Sequence, residues 1–349
     1  LDEEGKNRQL TRDFRAELGR IDRSKLHGAD AIRHDTLTTW YDSVIATFEV
    51  PYGQGGWPSI YRVSQQSGAY QSMPDFLDNQ HTIETAADAG DIGLGVGVLA
   101  DALTAETERM QEDFARGVIP PDFILAKAIG QQEGMARIAP GQSPITGSIV
   151  RRTAEKGVAG DWGPRVERLL TERVYPALSA QTAALKAIQP RAGHDPAVSR
   201  LPQGEQFYAN ALRLMTTTDM TADQIHEVGL AQVAELTARA DEVLKSQGMT
   251  QGTVADRITA MGEDPTQVYP NTDAAKLELI EHLNGQMAAM ALKLPNAFGR
   301  LPRATVEIKR VPPEIQDGAA LGYYNSPSLD GSRPGIYWIN LRDTAEQPR

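Results

Sequence analysis

The sequence predicts a mostly α-helical protein, a multi-helix body that ends in a small antiparallel β-sheet near the C-terminus. Three observations carry this prediction. Apolar residues recur at roughly a 3.6 spacing through most of the chain. Gly- and Pro-rich breaks near 51–81 and 190–202 interrupt that spacing. After position 300 the spacing gives way to β-branched alternation. The division read from this is a helical domain over 1–300 and the start of a β-containing region over 301–349.

Each element follows from a local signal. Leu10, Phe14, Leu18, Ile21 and Leu26 predict a first helix. Ile32, Leu37, Trp40, Val44, Ile45 and Phe48 predict a second, over Ala31 to Val50. A Gly/Pro loop follows from Pro51 to Pro58, then a stretch from Tyr61 to His81 with little periodicity. Helix resumes near Thr85 and runs with breaks to Arg116; Pro120-Pro121 stops it, and Asp122 to Gln132 is helical again. Gln142 to Asp161 is rich in small and polar residues and reads as loop. Trp162 to Ile188 reads as one long helix bent at Pro176. Glu205 to Met215 is helical. Thr221 to Ser246 has Thr221 as N-cap, Gln224 as its capping-box partner and Gly248 as the stop. Thr253 to Met261 and Thr272 to Leu294 are the last helices. Ala304 to Val311, Ala319 to Tyr324 and Gly335 to Leu341 read as strands, the last two joined by the turn-rich Asn325 to Pro334.

Composition narrows the classes of function. The chain has 349 residues, is 40% hydrophobic and 23% charged, and carries a formal net charge of −11. That balance, with no long basic run, argues against nucleic acid and anionic membrane surfaces as partners. No stretch of about 18 apolar residues occurs, so no membrane span is expected. There is no cysteine, which excludes disulfides, thiolate metal sites and a Cys nucleophile. The chain opens at Leu1, as a mature or trimmed product would.

Local motifs do not assemble a catalytic site. A zinc helix needs two histidines four residues apart on one face. His226-Glu227 begins that pattern, but Leu230 stands at the second position. His81 and Glu84 are spaced to share a metal or simply to make local hydrogen bonds. No Gly-x-Ser-x-Gly elbow occurs. Gly93-Leu94-Gly95-Val96-Gly97 lacks the preceding strand of a dinucleotide fingerprint and reads as a glycine-weakened or closely packed helix. Two stretches stand out. Ser64 to Phe76 mixes amides, a tyrosine and glycine, as in a buried bracing loop or a ligand-facing wall. Tyr323 to Asn340 reads as a hairpin with aromatic cross-strand pairs, or as an edge strand that pairs with an extended peptide.

These stretches, Gln65 to His81 and Tyr323 to Asn340, resemble the bacterial family called domain of unknown function (DUF) 885. So do Ile119-Pro120-Pro121, Leu201-Pro202-Gln203-Gly204 with Tyr208, Thr216-Thr217-Thr218 and Ile225 to Leu230, so the resemblance covers essentially the whole chain. It implies a fold similar to helical deep-cleft zinc peptidases. It also implies a longer protein, with a His-Glu-x-x-Pro-Gly-His-His helix soon after the strand at Gly335 to Leu341. This chain ends at Arg349 before such a helix, so zinc is expected for the full-length protein and no metal ligand or catalytic residue within this chain. The substrate-binding residues implied are Gln65, Tyr70, Gln71, Tyr323, Tyr324, Arg333, Tyr337 and Asn340. The reading is the N-terminal part of a metal-dependent peptidase or amidase, with a peptide or amide small molecule as substrate. The alternative is a non-catalytic helical ligand-binding or cell-envelope protein. A periplasmic or envelope location goes with the resemblance; a cytoplasmic one is also compatible with the composition.

Overall fold

A computed structural model describes residues 3–53, 59–264, 266, 268–313, 316 and 319–344. Residues 54–58 of the expected Gly/Pro loop, and 345–349 at the end of the expected β-containing region, lie outside the described residues. The chain forms two compact units, 1–225 and 226–349. As expected, it is mostly helical with a small sheet near the C-terminus.

In the first unit, α1 (Glu3–Leu18) and α2 (Gly28–Thr47) pack as a pair. Arg15 clamps the Asp42 carboxylate with bonds of 2.7 and 3.1 Å, a bidentate geometry. α3 (Ala69–Asp75) runs into a π-helical turn at Phe76–Gln80. α4 (Ala86–Ala115) starts on a capping box: Asp88 N donates to Thr85 Oγ1 at 3.3 Å, and Thr85 N to the Asp88 carboxylate at 2.7 Å. The glycines of α4 do not break it. A Cβ on Gly95 would come within 2.8 Å of Leu77, and one on Gly97 within 2.8 Å of the Arg173 guanidinium. Both are positions of close packing.

α5 (Asp122–Arg137), α6 (Pro144–Glu155), α7 (Trp162–Leu169), α8 (Tyr175–Ile188) and α9 (Gly204–Thr216) complete this unit. α8 packs on α4 and α5 and forms the spine of the core. Leu99, Leu103, Leu125, Ile149, Leu170, Leu178 and Leu185 are fully buried there. The segment 142–161 was expected to be loop, but α6 occupies most of it. Ser143 caps that helix by accepting from Ile145 N at 3.3 Å, and Pro144 takes the first turn, where its missing N–H costs nothing. Ile145 and Ile149 bury its apolar side. The long helix expected over 162–188 is interrupted by a π-helical turn at Leu170–Val174, just before Pro176. Proline removes a helical donor, and the wider turn accommodates the gap. Pro74 lies inside α3, ahead of the π-helical turn that follows it.

In the second unit, α10 (Ala222–Ser246) begins just before the division. Its predicted ends are both present. Thr221 N donates to Gln224 Oε1 at 2.9 Å and Gln224 N to Thr221 Oγ1 at 3.2 Å. Gly248 stops the helix at φ 84°. α11 (Val254–Glu263) and α12 (Asp273–Ala291) lead to β1 (Val306–Arg310), β2 (Gly322–Asn325) and β3 (Gly335–Ile339). The sheet order is β1-β3-β2. It is mixed rather than purely antiparallel: β3 pairs antiparallel with β2 but parallel with β1. The long connection from β1 through β2 lets β3 return in the direction of β1. α12 covers one side, where Tyr269, Ala275, Leu279, Ile339 and Leu341 are buried together. Val311, Ile336 and Trp338 form a separate cluster.

Candidate functional site

The eight residues expected at a substrate site fall into two groups, one in each unit. Gln65, Tyr70 and Gln71 form a single network. The Tyr70 hydroxyl lies 2.6 Å from the Ser64 carbonyl and 2.8 Å from Gln131 Oε1. Gln71 Nε2 donates to the Gln65 carbonyl at 2.8 Å and to Gln131 Oε1 at 3.0 Å. Tyr70 is buried, and burial pushes its phenol up to about 12. The amide of Ala69 donates to both carboxylate oxygens of Glu106, at 2.9 and 3.0 Å. Burial raises the Glu106 pKa against these bonds and against Arg62. The geometry is that of a bracing loop: its polar groups face one another and tie α3 to α4 and α5. Gln65 Oε1 is a buried acceptor without a hydrogen-bond partner.

The second group builds a surface on the sheet. Tyr324 and Tyr337 stand directly opposite each other on β2 and β3, and they are 49% and 42% exposed. Each ring crosses to a glycine of the other strand. A Cβ on Gly322 would meet the Tyr337 hydroxyl at 2.5 Å, and one on Gly335 would lie 2.8 Å from Tyr324 Cζ. The glycines are the floor on which the phenols rest. On the opposite face Tyr323 stacks on Trp338, with ring centroids 6.2 Å apart. That face holds two buried donors without partners, Trp338 Nε1 and Asn325 Nδ2. Such groups are rare in folded proteins and mark places where an acceptor belongs.

Asn340 and Arg333 have different places. Asn340 is buried, and its amide donates to the carbonyls of Gln316 at 2.8 Å and Ala319 at 3.3 Å. It holds the connection that leads into β2. Arg333 lies in the turn before β3, where its N–H donates to Ser328 Oγ at 2.9 Å. The neighbouring Asp330 accepts from Ser328 and Ser332, which hold its carboxyl down at about 2.

The two edges of the sheet are not equivalent. At β1 the side chain of Asn284, on α12, imitates a neighbouring strand. Ile308 N donates to Asn284 Oδ1 at 2.9 Å and Asn284 Nδ2 donates to the Ile308 carbonyl at 3.0 Å. That edge is closed, as exposed edges usually are. On β2, Asn340 N donates to the Leu321 carbonyl at 2.9 Å. Antiparallel alternation then turns the main-chain N–H and C=O of Gly322 and Tyr324 outward, away from β3. Among the described residues no strand pairs with that side. Sequence reasoning missed Asn284, whose role depends on a strand 24 residues away.

The histidines do not converge. His81 Nε2 lies 3.1 Å from the Asp88 carbonyl, while Glu84 pairs with Lys156 at 2.6 Å, so the two make separate local contacts. Among the described residues no group of three or more His, Asp or Glu could hold a metal ion. No helix among them is long and apolar enough to cross a membrane.

A helical chain carrying a small mixed sheet, with one edge unpaired among the described residues, is the class that fold and site define. The chain belongs to a family of bacterial proteins of unknown function, DUF885, which matches it over residues 1–349. It is similar to a crystal structure of a protein described as a putative lipoprotein from Colwellia psychrerythraea, at a TM-score of 0.90 and 27% identity. The similarity covers 99% of this chain and 60% of that one, so the chain spans less than two thirds of the neighbour's length. No curated protein matches.

Proposed function

We propose that this chain is part of a metal-dependent peptidase or amidase, in which it supplies cleft wall and holds substrate extended along β2. The observation that carries the reading is the open outer side of β2. Extended peptides bind sheet edges through the main chain and gain specificity from side chains beside it. Gly322 and Tyr324 offer the outward main-chain groups, and Tyr324 and Tyr337 flank them with exposed phenols. A phenol held on a rigid strand is a hydrogen-bond donor suited to an oxygen that gains charge during acyl transfer. Tyr323 stacks beneath, and Arg333 sits at the entrance to β3. Gln65, Tyr70 and Gln71 are joined to one another and to Gln131 of α5 in the first unit.

Zinc does not fit the described residues. Leu230 stands where a second histidine would pair with His226 along the helix, and His81 is engaged with a backbone carbonyl. On this reading the metal ligands of the whole protein are residues other than these. The neighbour's description as a lipoprotein supports a place in the cell envelope.

The test is hydrolysis of a fluorogenic peptide library by the complete gene product, with and without a chelator. Cleavage that is lost on chelation and restored by zinc supports the reading. Cleavage indifferent to chelation removes the metal from it. Peptide binding without any turnover would replace it with the ligand-binding alternative.

A further inference from the structure

α10 is an amphipathic helix whose apolar side is open. Ile225, Gly229, Val233, Leu236, Ala240 and Val243 recur in steps of three and four, which places them on one stripe. Asp223, Glu227, Glu242 and Lys245 lie on the other side. A helix of this pattern normally turns its stripe into a core. Here Val233 is 64% and Leu236 is 57% exposed. The ties of the helix to its own unit gather at its C-terminal end. Leu244 is buried there, Arg257 pairs with Asp241, and the Arg257 guanidinium donates to the Met249 carbonyl at 2.9 Å. Among the described residues of its unit no other helix or strand packs broadly along the rest.

The helix is specified by its own ends. The Thr221–Gln224 capping box opens it and Gly248 closes it. Caps define where a helix lies, but a helix in water owes most of its stability to packing of its apolar face. An open stripe of this length is therefore a face made to be covered.

The neighbour points to the cover. Nearly all of this chain, 99%, aligns with the Colwellia psychrerythraea protein, yet the match takes in 60% of that protein. Roughly two-fifths of a closely similar fold lies outside it. We infer that the apolar stripe of α10 is the docking face for a further segment of the same polypeptide, the counterpart of that unmatched part. The segment presents an apolar helix or sheet face of its own to Val233, Leu236 and Val243. This inference is independent of the peptidase reading, because it concerns how the fold is completed and not its chemistry.

Hydrogen–deuterium exchange tests it without a mutation. Amides over 225–243 are followed in the 349-residue chain and in the complete gene product, with molecular mass measured on the same samples. The expected result is fast exchange in the 349-residue chain and exchange slowed by about a hundredfold or more in the complete product. Equal rates in the two would overturn the inference. So would slow exchange in the monomeric 349-residue chain, which would mean that the stripe is covered from within. Protection that rises with concentration alongside a dimer mass would make the occupant a second copy and overturn it too. A gene encoding nothing beyond these residues would end it outright. The companion variant Leu236→Asp, in the complete product, is expected to restore fast exchange over 225–243; unchanged protection would count against the stripe.

Discussion

Replacing Gly204 by alanine tests how the first unit is held together. Gly204 is the first residue of α9 and is buried. A Cβ there would run into the carbonyl oxygen of Val198, lie 2.8 Å from its carbonyl carbon and 3.1 Å from Ser199 Cα. All three atoms are main chain, so no side chain can swing aside. The short helical turn at Val198–Arg200 must retreat by roughly 1 Å in packing that tolerates little change. That turn is anchored on both sides. Arg200 donates to the Ile119 carbonyl at 2.7 Å and to the Tyr61 hydroxyl at 2.9 Å, and Leu201 is buried with Val50, Tyr52 and Val118. Overpacking of this kind costs about 1–3 kcal/mol, here toward the upper end because the obstacle is backbone. Loss of a helical glycine returns up to about 1 kcal/mol. The net expectation is a loss of about 2 kcal/mol, or a fall in melting temperature of roughly 4–8 °C for a unit of this size. Thermal unfolding followed by circular dichroism measures it. Gly130→Ala in α5 is the matched control, since nothing lies within 4 Å of its added carbon. That change is expected to stabilise by about 0.5–1 kcal/mol. A Gly204→Ala protein that melts at or above the wild type would refute the reasoning.

Other perturbations follow from the same structure. Burial raises the Glu106 carboxyl, so its favourable neutral form is complete below the unfolded value and is lost as pH rises through the raised folded value. Glu106→Gln is therefore expected to match the wild type at low pH and to gain on it as pH rises toward neutrality; parallel urea-unfolding stabilities across that range would contradict this. Gln132, fully buried, donates to Gln181 Oε1 at 2.7 Å and accepts from Thr182 Oγ1 at 2.8 Å. Gln132→Ala takes the donor from buried Gln181 Oε1, while Thr182 keeps its bond to the Leu178 carbonyl; it is expected to cost about 1–3 kcal/mol, so a loss indistinguishable from zero would show that the network is dispensable. Tyr324→Phe and Tyr337→Phe remove exposed hydroxyls and are expected to leave stability within about 0.5 kcal/mol. In the complete product, one of them is expected to lower peptide hydrolysis by about a hundredfold; full activity in both variants would remove the phenols from the chemistry.

Much of the helical layout was legible because its signals are local. Thr221, Gln224 and Gly248 bound α10 in the structure as they do in the sequence. α6 escaped because Ser143-Pro144 is hidden among small residues and the apolar side that follows is short. The three strands were visible, but their order was not. Pairing β3 parallel to β1 is a tertiary decision that no alternation pattern records. The loop around Tyr70 shows a deeper limit. Amides and a tyrosine outside any periodicity suit a bracing network and a binding wall equally well, and Gln131 on α5, which joins that network, is a tertiary partner that no local pattern names. The open edge of β2 was readable as a possibility in the Tyr323 to Asn340 stretch. That it is open while β1 is closed depends on Asn284, which no motif announces.

In the proposed function the outer side of β2 receives an extended ligand. Amide exchange at single residues, in the complete gene product with and without a saturating, non-hydrolysable extended peptide, tests it most directly. Slowing is expected at Gly322 and Tyr324, whose amides face outward, and little change at Tyr323 and Asn325, whose amides already face β3. A peptide that binds at saturation and leaves Gly322 and Tyr324 unchanged would contradict it.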